Sequence, residues 1–136
     1  MKTIVLDTNI LIDNIHGFAP WVKKLLKLEN YKQVIPTIVL SEYLTDKQVE
    51  TELGRIRSEE YLSWFIKQDL NEEIAKILGA ILRHETYPAG AGLADLIIAA
   101  TTLYLNGELA TKNKADFYGI PDLKFFDPKK LAGLDK

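Results

Sequence analysis

Short β-branched apolar runs alternate along this chain with longer segments whose apolar residues recur at helical spacing. The first run, Ile4 to Leu6, stops abruptly at Asp7, as a buried strand does at its carboxyl end. Similar runs predict further strands at 33–35, 108–111 and 124–126. The segment from Trp64 to Lys67 is as consistent with a helix end as with another strand.

The segments between these runs have the apolar spacing of amphipathic helices. Thr8 and Asn9 suit the N-cap of a first helix from Ile10 to Ile15, and Thr37 and Asn71 suit the caps of two others. Helices are expected at 10–15, 18–28, from 37 onward, and at 51–65, 71–83 and 93–105. In the second and fourth of these, the apolar side facing the core is predicted to include Phe18, Trp21, Leu53, Ile56, Leu62 and Phe65.

Strands that alternate with helices form βαβ units, which build a parallel sheet covered by helices on both faces. The predicted fold is therefore a three-layer α/β/α domain with a mostly parallel sheet. With 136 residues and no linker or repeat, the chain fits one domain. We expect that domain over residues 1–128, followed by a polar C-terminal tail at 129–136.

Four acids stand at positions where sheet proteins bind ligands. Asp7 and Asp116 follow predicted strands, whereas Glu42 and Asp95 are expected near helix starts. Each has an ordinary explanation when taken alone, such as a helix cap, a turn or a solvated surface. Asp95 is the sharpest case, because its helical neighbours are apolar or small and no base lies within one turn.

Strand ends and helix starts meet at one edge of a doubly wound sheet. Four carboxylates gathered there would repel one another and raise their pKa values. A hard divalent cation relieves that conflict, and ligation by oxygen alone suits Mg²⁺ or Mn²⁺. The pattern therefore favours a metal site over four unrelated acids.

Composition narrows the possible chemistry. The chain has no cysteine, so thiol nucleophiles, disulfides and cysteine zinc sites are excluded. Its net charge of −2 argues against a passive nucleic-acid binder. Without the four acids above, however, fifteen of the nineteen acidic residues remain against seventeen bases. The apolar run at 93–105 is too short to span a bilayer and no signal peptide is recognised, so a cytoplasmic protein with no membrane association is expected.

Four segments around these acids resemble the signatures of PIN-domain nucleases, and most closely the VapC-like toxin ribonucleases of toxin–antitoxin pairs. The resemblance runs in order from about Thr3 to Pro128, nearly the whole chain. Each segment alone is a weak signal, whereas four in order are specific. The segments are 6–9 (LDTN), 36–42 (PTIVLSE), 93–100 (LADLIIAA) and 109–117 (LATKNKADF).

The resemblance implies a five-stranded sheet in which the strand ending at Asp7 is central and the strand ending at Thr111 lies beside it. It implies a divalent-metal-dependent endoribonuclease, acting as the toxin of a toxin–antitoxin pair, with an antitoxin protein as partner and a homodimeric assembly. The residues that it assigns to catalysis and metal binding are Asp7, Glu42, Asp95 and Asp116, supported by hydrogen bonds from Thr8, Asn9, Thr111 and Asn113.

Other residues admit two interpretations each. Lys112, Lys114 and, more weakly, Arg83 are candidate contacts to RNA phosphates, or else solvated surface residues. The aromatic residues Trp21, Tyr61 and Trp64 would be dimer-interface anchors or core. His16 and His84 match no motif and are expected to be structural or exposed.

Other functions compete with the nuclease. A haloacid-dehalogenase-type phosphatase requires a second acid two residues after the first, and that position is Asn9. A non-catalytic RNA- or protein-binding module that keeps the same fold is the alternative from another functional class. Because attack by a metal-activated water does not use the ribose 2′-hydroxyl, the choice of RNA over DNA rests on the resemblance alone.

Overall fold

The computed structural model describes residues 1–130 and contains one sheet of five parallel strands. The strand order is β3-β2-β1-β4-β5, which places β1 at the centre as predicted. Because β1 is paired on both sides and covered on both faces, Ile4, Val5 and Leu6 are fully buried. The strands are β1 (Lys2–Leu6), β2 (Tyr31–Pro36), β3 (Ile66–Gln68), β4 (Glu108–Ala110) and β5 (Lys124–Phe125).

Six α-helices connect and cover these strands within the described residues. They are α1 (Thr8–Ile15), α2 (Trp21–Leu25), α3 (Thr37–Tyr43), α4 (Glu52–Leu62), α5 (Glu72–His84) and α6 (Leu93–Tyr104). Helix α6 packs on β2 and β4, α5 packs on α6, and α2 packs on β2. The three-layer α/β/α fold is thus confirmed. Within residues 1–130 no helix is long and apolar enough to cross a membrane.

The predicted C-terminal tail is described only at its start. A 3₁₀ turn spans Pro128–Lys130, and residues 131–136 lie outside the described part of the chain. Two further 3₁₀ turns, at Lys47–Glu50 and Lys114–Phe117, precede α4 and follow β4.

The first helix begins two residues earlier than predicted. Asp7, rather than Thr8 or Asn9, is its N-cap residue, with extended backbone (φ −77°, ψ 159°). The carboxylate Oδ1 of Asp7 accepts from the Thr8 N–H at 2.8 Å. The strand therefore passes into the helix with no intervening loop, because Asp7, the residue directly after β1, caps α1.

The predicted helix at 18–28 is reduced to the five residues of α2. Pro20 has no N–H and restricts the residue before it to extended backbone, so the helix starts only at Trp21. Phe18 lies outside the helix and is 78% exposed, which contradicts its predicted place in the core.

Helix α4 is also shorter than predicted and is less amphipathic. Leu53 and Ile56 are 58% and 50% exposed, although Leu62 and Phe65 are buried as expected. The start of α4 packs on the preceding 3₁₀ turn rather than on the sheet, so its first apolar residues have no core to enter. The segment that was ambiguous between helix end and strand contributes β3.

The turn from α6 into β4 fixes the register at the centre of the sheet. Asn106 has a left-handed backbone (φ 52°) that ends the helix. A Cβ on the next residue, Gly107, would lie 2.8 Å from the Thr3 carbonyl oxygen, so only glycine lets the chain pass this close to β1. The resulting pairing sets Leu6 against Ala110, and the residues that follow, Asp7 and Thr111, become neighbours.

Tyr61 joins α4 to α1 through its side chain. The ring is 8% exposed, and the hydroxyl donates to the Leu11 carbonyl and accepts from Asn14 Nδ2, each at 2.9 Å. Burial raises the pKa of Tyr61 to about 12, so the hydroxyl remains a donor at all ordinary pH values. The contact holds the second half of α1 in place.

We expect Tyr61→Phe to lower the free energy of unfolding by about 1–3 kcal/mol, because Asn14 loses its hydroxyl acceptor in a buried setting. Urea denaturation followed by circular dichroism measures the change. Tyr118→Phe is the matched control, because the Tyr118 ring is 60% exposed, and it should shift stability by less than about 0.5 kcal/mol. Equal effects of the two substitutions would contradict this role for Tyr61.

Candidate active site

Asp7 lies at the carboxyl end of the central strand with most of its surface buried. Its exposed fraction is 6%, and both oxygens accept hydrogen bonds. Oδ1 accepts from the Thr8 N–H at 2.8 Å. Oδ2 accepts from the Thr111 hydroxyl at 2.8 Å and from Asn9 Nδ2 at 3.2 Å. The carboxylate is thus held rigidly at the sheet edge.

The surroundings of Asp7 disfavour its ionised form. Burial raises the pKa of the Asp7 carboxyl, and the negative charges of Asp95 and Glu42 raise it further. The hydrogen bonds from Thr111 and Thr8 lower the pKa without offsetting the rise. Asp95 and Glu42 are therefore close enough to Asp7 for their charges to act on it.

Glu42 reaches the site from the far end of α3. The prediction that it lies near a helix start is wrong, since α3 ends one residue later, at Tyr43. Its side chain is exposed, and Oε1 accepts from the Thr8 hydroxyl at 2.9 Å. Packing of α1 against α3 brings the two together. Thr8 thereby links Glu42 to Asp7, because its N–H and its hydroxyl bind one carboxylate each.

Asp95 occupies the first turn of α6 and is half-buried. Its Oδ2 accepts from the N–H of Gly92, the N-cap residue of α6, at 3.1 Å. The capping role that the sequence left open for Asp95 is therefore realised. Asp95 thus caps α6 and is also near enough to Asp7 for its charge to act on that carboxyl.

Asp116 lies in the 3₁₀ turn after β4 and is half-buried. It is not among the charges that act on Asp7. Asn113 approaches the site through its backbone, because its N–H donates to the Thr111 hydroxyl oxygen at 3.0 Å. Of the residues predicted to support the carboxylates, Thr111 and Asn9 contact Asp7 through their side chains. Thr8 contacts Asp7 through its backbone N–H.

The carboxylates do not form a closed ligand cluster. Among residues 1–130, no three His, Cys, Asp or Glu side chains are grouped so that they could hold a metal ion. Glu42 and Asp95 each accept a local donor instead. The donor chemistry still fits a hard cation, since all the candidates are carboxylates and the buried one is destabilised by its neighbours' charge.

The three basic residues predicted to contact RNA differ from one another in their neighbours. Lys112 Nζ lies 3.1 Å from Asp13 Oδ2, and the Lys112 N–H donates to Asn9 Oδ1 at 3.2 Å. Lys114 Nζ lies 5.7 Å from the centre of the Phe125 ring, whereas Arg83 is exposed on the last turn of α5. Asp13 was missed from the sequence, although its spacing of four residues from Asn9 places both on one face of a helix.

The structure also gives the exposure of the two histidines and of the three aromatic residues whose roles the sequence left open. His16 and His84 are exposed. Trp21 and Tyr61 belong to the core at 6% and 8% exposure, and Trp64 is 43% exposed.

A cavity of about 710 Å³ opens beside Glu42, between α1, α3 and α4. Both apolar and polar side chains line it, and Leu53 near the start of α4 is among them. The lining includes Ile12, Ile15, Leu53, Val49, Tyr61 and the charged Arg57.

Comparison with known protein families matches residues 4–123 to the PIN domain. A comparison with curated protein sequences finds no match. Among solved structures, the chain is similar to one of a toxin–antitoxin complex from Klebsiella pneumoniae, with 31% identity and a TM-score of 0.66 over 88% of this chain and 94% of that one.

Two VapBC structures are also similar. The VapBC-1 structure from nontypeable Haemophilus influenzae has 26% identity and a TM-score of 0.74, covering 92% of this chain and 97% of that one. The DNA-bound VapBC structure from Salmonella typhimurium has 25% identity and a TM-score of 0.73, covering 93% and 98%. Since nearly the full length of each chain is covered, the whole fold is shared.

We expect Thr111→Val to raise the pKa of Asp7 further and to destabilise the protein in a pH-dependent way. The lost hydroxyl stabilises the ionised carboxylate, so the cost should reach about 1.5–3 kcal/mol above the folded-state pKa of Asp7. It should shrink as the pH falls through that pKa, where the carboxyl is protonated. Urea denaturation at several pH values with EDTA, together with NMR titration of the Asp7 carboxyl carbon, measures both effects.

Thr102→Val is the control for this experiment. Thr102 is buried and its hydroxyl donates to the Ile98 carbonyl within α6, away from any carboxylate. Its cost should be the same at every pH. A Thr111→Val cost that is independent of pH would show that the hydroxyl does not act on the charge of Asp7.

Proposed function

Because the chain belongs to the PIN-domain family, we propose that it is a divalent-metal-dependent endoribonuclease and the toxin of a toxin–antitoxin pair. Mg²⁺ or Mn²⁺ is the proposed cofactor, RNA the substrate and a small antitoxin protein the partner. The proposed location is the cytoplasm and the proposed assembly a homodimer.

One observation carries the catalytic part of this proposal. Asp7 is a buried carboxylate whose pKa is raised by burial and by two neighbouring acids, yet its two oxygens are held by three donors. Holding a charge so firmly in a place that disfavours it is costly to the fold. Such a strained and organised carboxylate at the carboxyl edge of a parallel sheet is typical of a site that gains its counter-charge from a bound cation.

The proposed ligands are Asp7, Glu42, Asp95 and Asp116. A divalent cation bound there would neutralise charge on the phosphate and lower the pKa of a water molecule. The protein's own part is to hold the carboxylates: Thr111 and Asn9 fix one oxygen of Asp7, the Thr8 N–H fixes the other, and the Thr8 hydroxyl restrains Glu42. Such outer-shell bonds set the direction of a ligand's lone pairs.

The toxin role is supported by the structural relatives. The similar structures from Klebsiella, Haemophilus and Salmonella are toxin–antitoxin or VapBC complexes. The cavity beside Glu42 is lined by apolar side chains together with Glu42, Asp46 and Arg57. The proposed occupant is an apolar segment of the antitoxin that carries a basic residue toward the two acids.

A binding module without catalysis is the second candidate. It is favoured by one observation, that the described carboxylates are not grouped as a ready metal site. In that case the fold would bind RNA or protein, and the acids would serve as caps. The experiments below separate the two functions.

We expect the purified protein to cleave end-labelled structured RNA when Mg²⁺ or Mn²⁺ is added and not when EDTA is present. Asp7→Asn should lower kcat/KM at least about a hundredfold, beyond the ten- to hundredfold loss typical of outer-shell partners. Asp69→Asn, at an exposed aspartate, is the matched control and should cleave like the wild type. A single-stranded DNA arm tests the choice of sugar.

Equal cleavage by wild type and Asp7→Asn would contradict the role of Asp7. Binding of RNA with no cleavage of any RNA tested, in either metal, would support the binding module instead.

Asp95 allows its capping and catalytic roles to be separated. Asp95→Asn keeps an oxygen that accepts from the Gly92 N–H, so stability should change by less than about 0.5 kcal/mol while cleavage falls about a hundredfold or more. Asp95→Ala should lose cleavage and also about 0.5–2 kcal/mol of stability. Thermal denaturation and the RNA assay give the two readouts. Full activity of Asp95→Asn would leave the residue with a structural role only.

A further inference from the structure

Lys112 is bound to α1 at two points, one on its backbone and one on its side chain. Its N–H donates to Asn9 Oδ1 at 3.2 Å. Its Nζ contacts both oxygens of Asp13, at 3.2 and 3.1 Å. Asn9 and Asp13 are four residues apart and share one face of the helix. The segment that follows β4 is therefore fastened along the side of α1.

The fastened segment carries the hydroxyl that holds Asp7. Thr111 precedes Lys112 directly, and its hydroxyl donates to Asp7 Oδ2 at 2.8 Å. The same hydroxyl oxygen accepts from the Asn113 N–H at 3.0 Å. Any shift of this segment relative to α1 would change the distance between Thr111 and Asp7. The contacts of Lys112 oppose that shift.

We propose that Asp13 and Lys112 form a positioning clamp that sets the Thr111 hydroxyl on Asp7 and thereby the orientation of the Asp7 carboxylate. This inference rests on the proposed nuclease function. Neither residue touches substrate in this account: both act through Thr111. That Lys112 contacts RNA phosphates stays the competing prediction.

Burial explains why Lys112 serves the clamp and not the substrate. The Asp13 side chain is only 16% exposed, whereas that of Lys112 is 56% exposed. If the ammonium moved to a phosphate, it would leave a mostly buried carboxylate without this partner, which is unfavourable. A lysine that is available to bind RNA would be expected to pair with a more exposed carboxylate, or with no carboxylate.

Steady-state cleavage of one RNA by four variants tests the clamp. The variants are Asp13→Asn, Lys112→Met, the double variant and Lys112→Arg. Controls for the loss of one charge are Lys27→Met and Asp69→Asn, both at exposed positions. Melting temperatures are measured for all of them, so that loss of folded protein is separated from loss of rate.

The clamp predicts that Asp13→Asn and Lys112→Met each lower kcat about tenfold, the lower end of the range for partners of metal ligands, with little change in KM. The double variant should be no worse than the poorer single variant, because one interaction is lost in all three. Lys112→Arg should restore most of the rate, since it keeps the ion pair.

Two results would overturn the clamp. In the first, the fold losses of kcat in the two single variants multiply in the double variant, which shows that the two residues act independently. The other is a rise in KM, with a weaker salt dependence, that follows removal of Lys112 but not of Asp13. That second pattern marks a phosphate contact.

A separate readout distinguishes failure of the clamp from failure of the proposed function. If the wild type cleaves no RNA, the nuclease proposal fails, and hydrogen exchange of residues 109–117 still tests the clamp. Faster exchange of the Lys112 and Asn113 amides in Asp13→Asn than in Asp69→Asn supports it. Unchanged exchange of these amides contradicts it.

Discussion

The buried carboxylate of Asp7 is the constraint on which the rest of the site depends. It directly follows the central strand, caps α1 and receives a hydrogen bond from the Thr111 hydroxyl at the neighbouring strand end. The contact with Thr111 follows from the parallel register that sets Leu6 against Ala110. That register in turn requires Gly107, because no side chain fits where the chain crosses the Thr3 carbonyl. The close approach of Gly107 to the Thr3 carbonyl, at the other end of β1, thus sets the surroundings of Asp7.

Structural and chemical roles are combined in the same side chains. Asp7 and Asp95 are both at helix starts, where backbone N–H groups stabilise negative charge. These caps let acids lie close together without the fold being lost. Burial, and after it the repulsion from Asp95 and Glu42, raises the pKa of Asp7. The ordinary and the functional explanations of each acid, treated as alternatives at the level of sequence, are therefore compatible.

The sequence predicted the sheet well because strand signals are local. A β-branched run followed by an acid identified β1. Four acids, in the order of the four segments that resemble PIN-domain signatures, indicated the edge of the sheet where the site lies. Helix boundaries were less accurate, since they depend on what each turn packs against: Leu53 and Ile56 have helical spacing but no core to enter. Glu42 was misplaced in its helix, and Asp13 was missed because its partner lies 99 positions along the chain. The assignment of the four acids to metal binding stays a prediction.

Calorimetric titration of the protein with Mn²⁺ or Mg²⁺, in the absence of nucleic acid, measures directly whether Asp7 holds a cation. We expect a saturable site in the wild type and in Asp69→Asn, and its affinity should fall as the pH is lowered and Asp7 takes up a proton. Asp7→Asn should lose that site while remaining folded. Binding of equal affinity in Asp7→Asn, or no binding by the wild type at neutral pH, would contradict the claim that Asp7 anchors a cation.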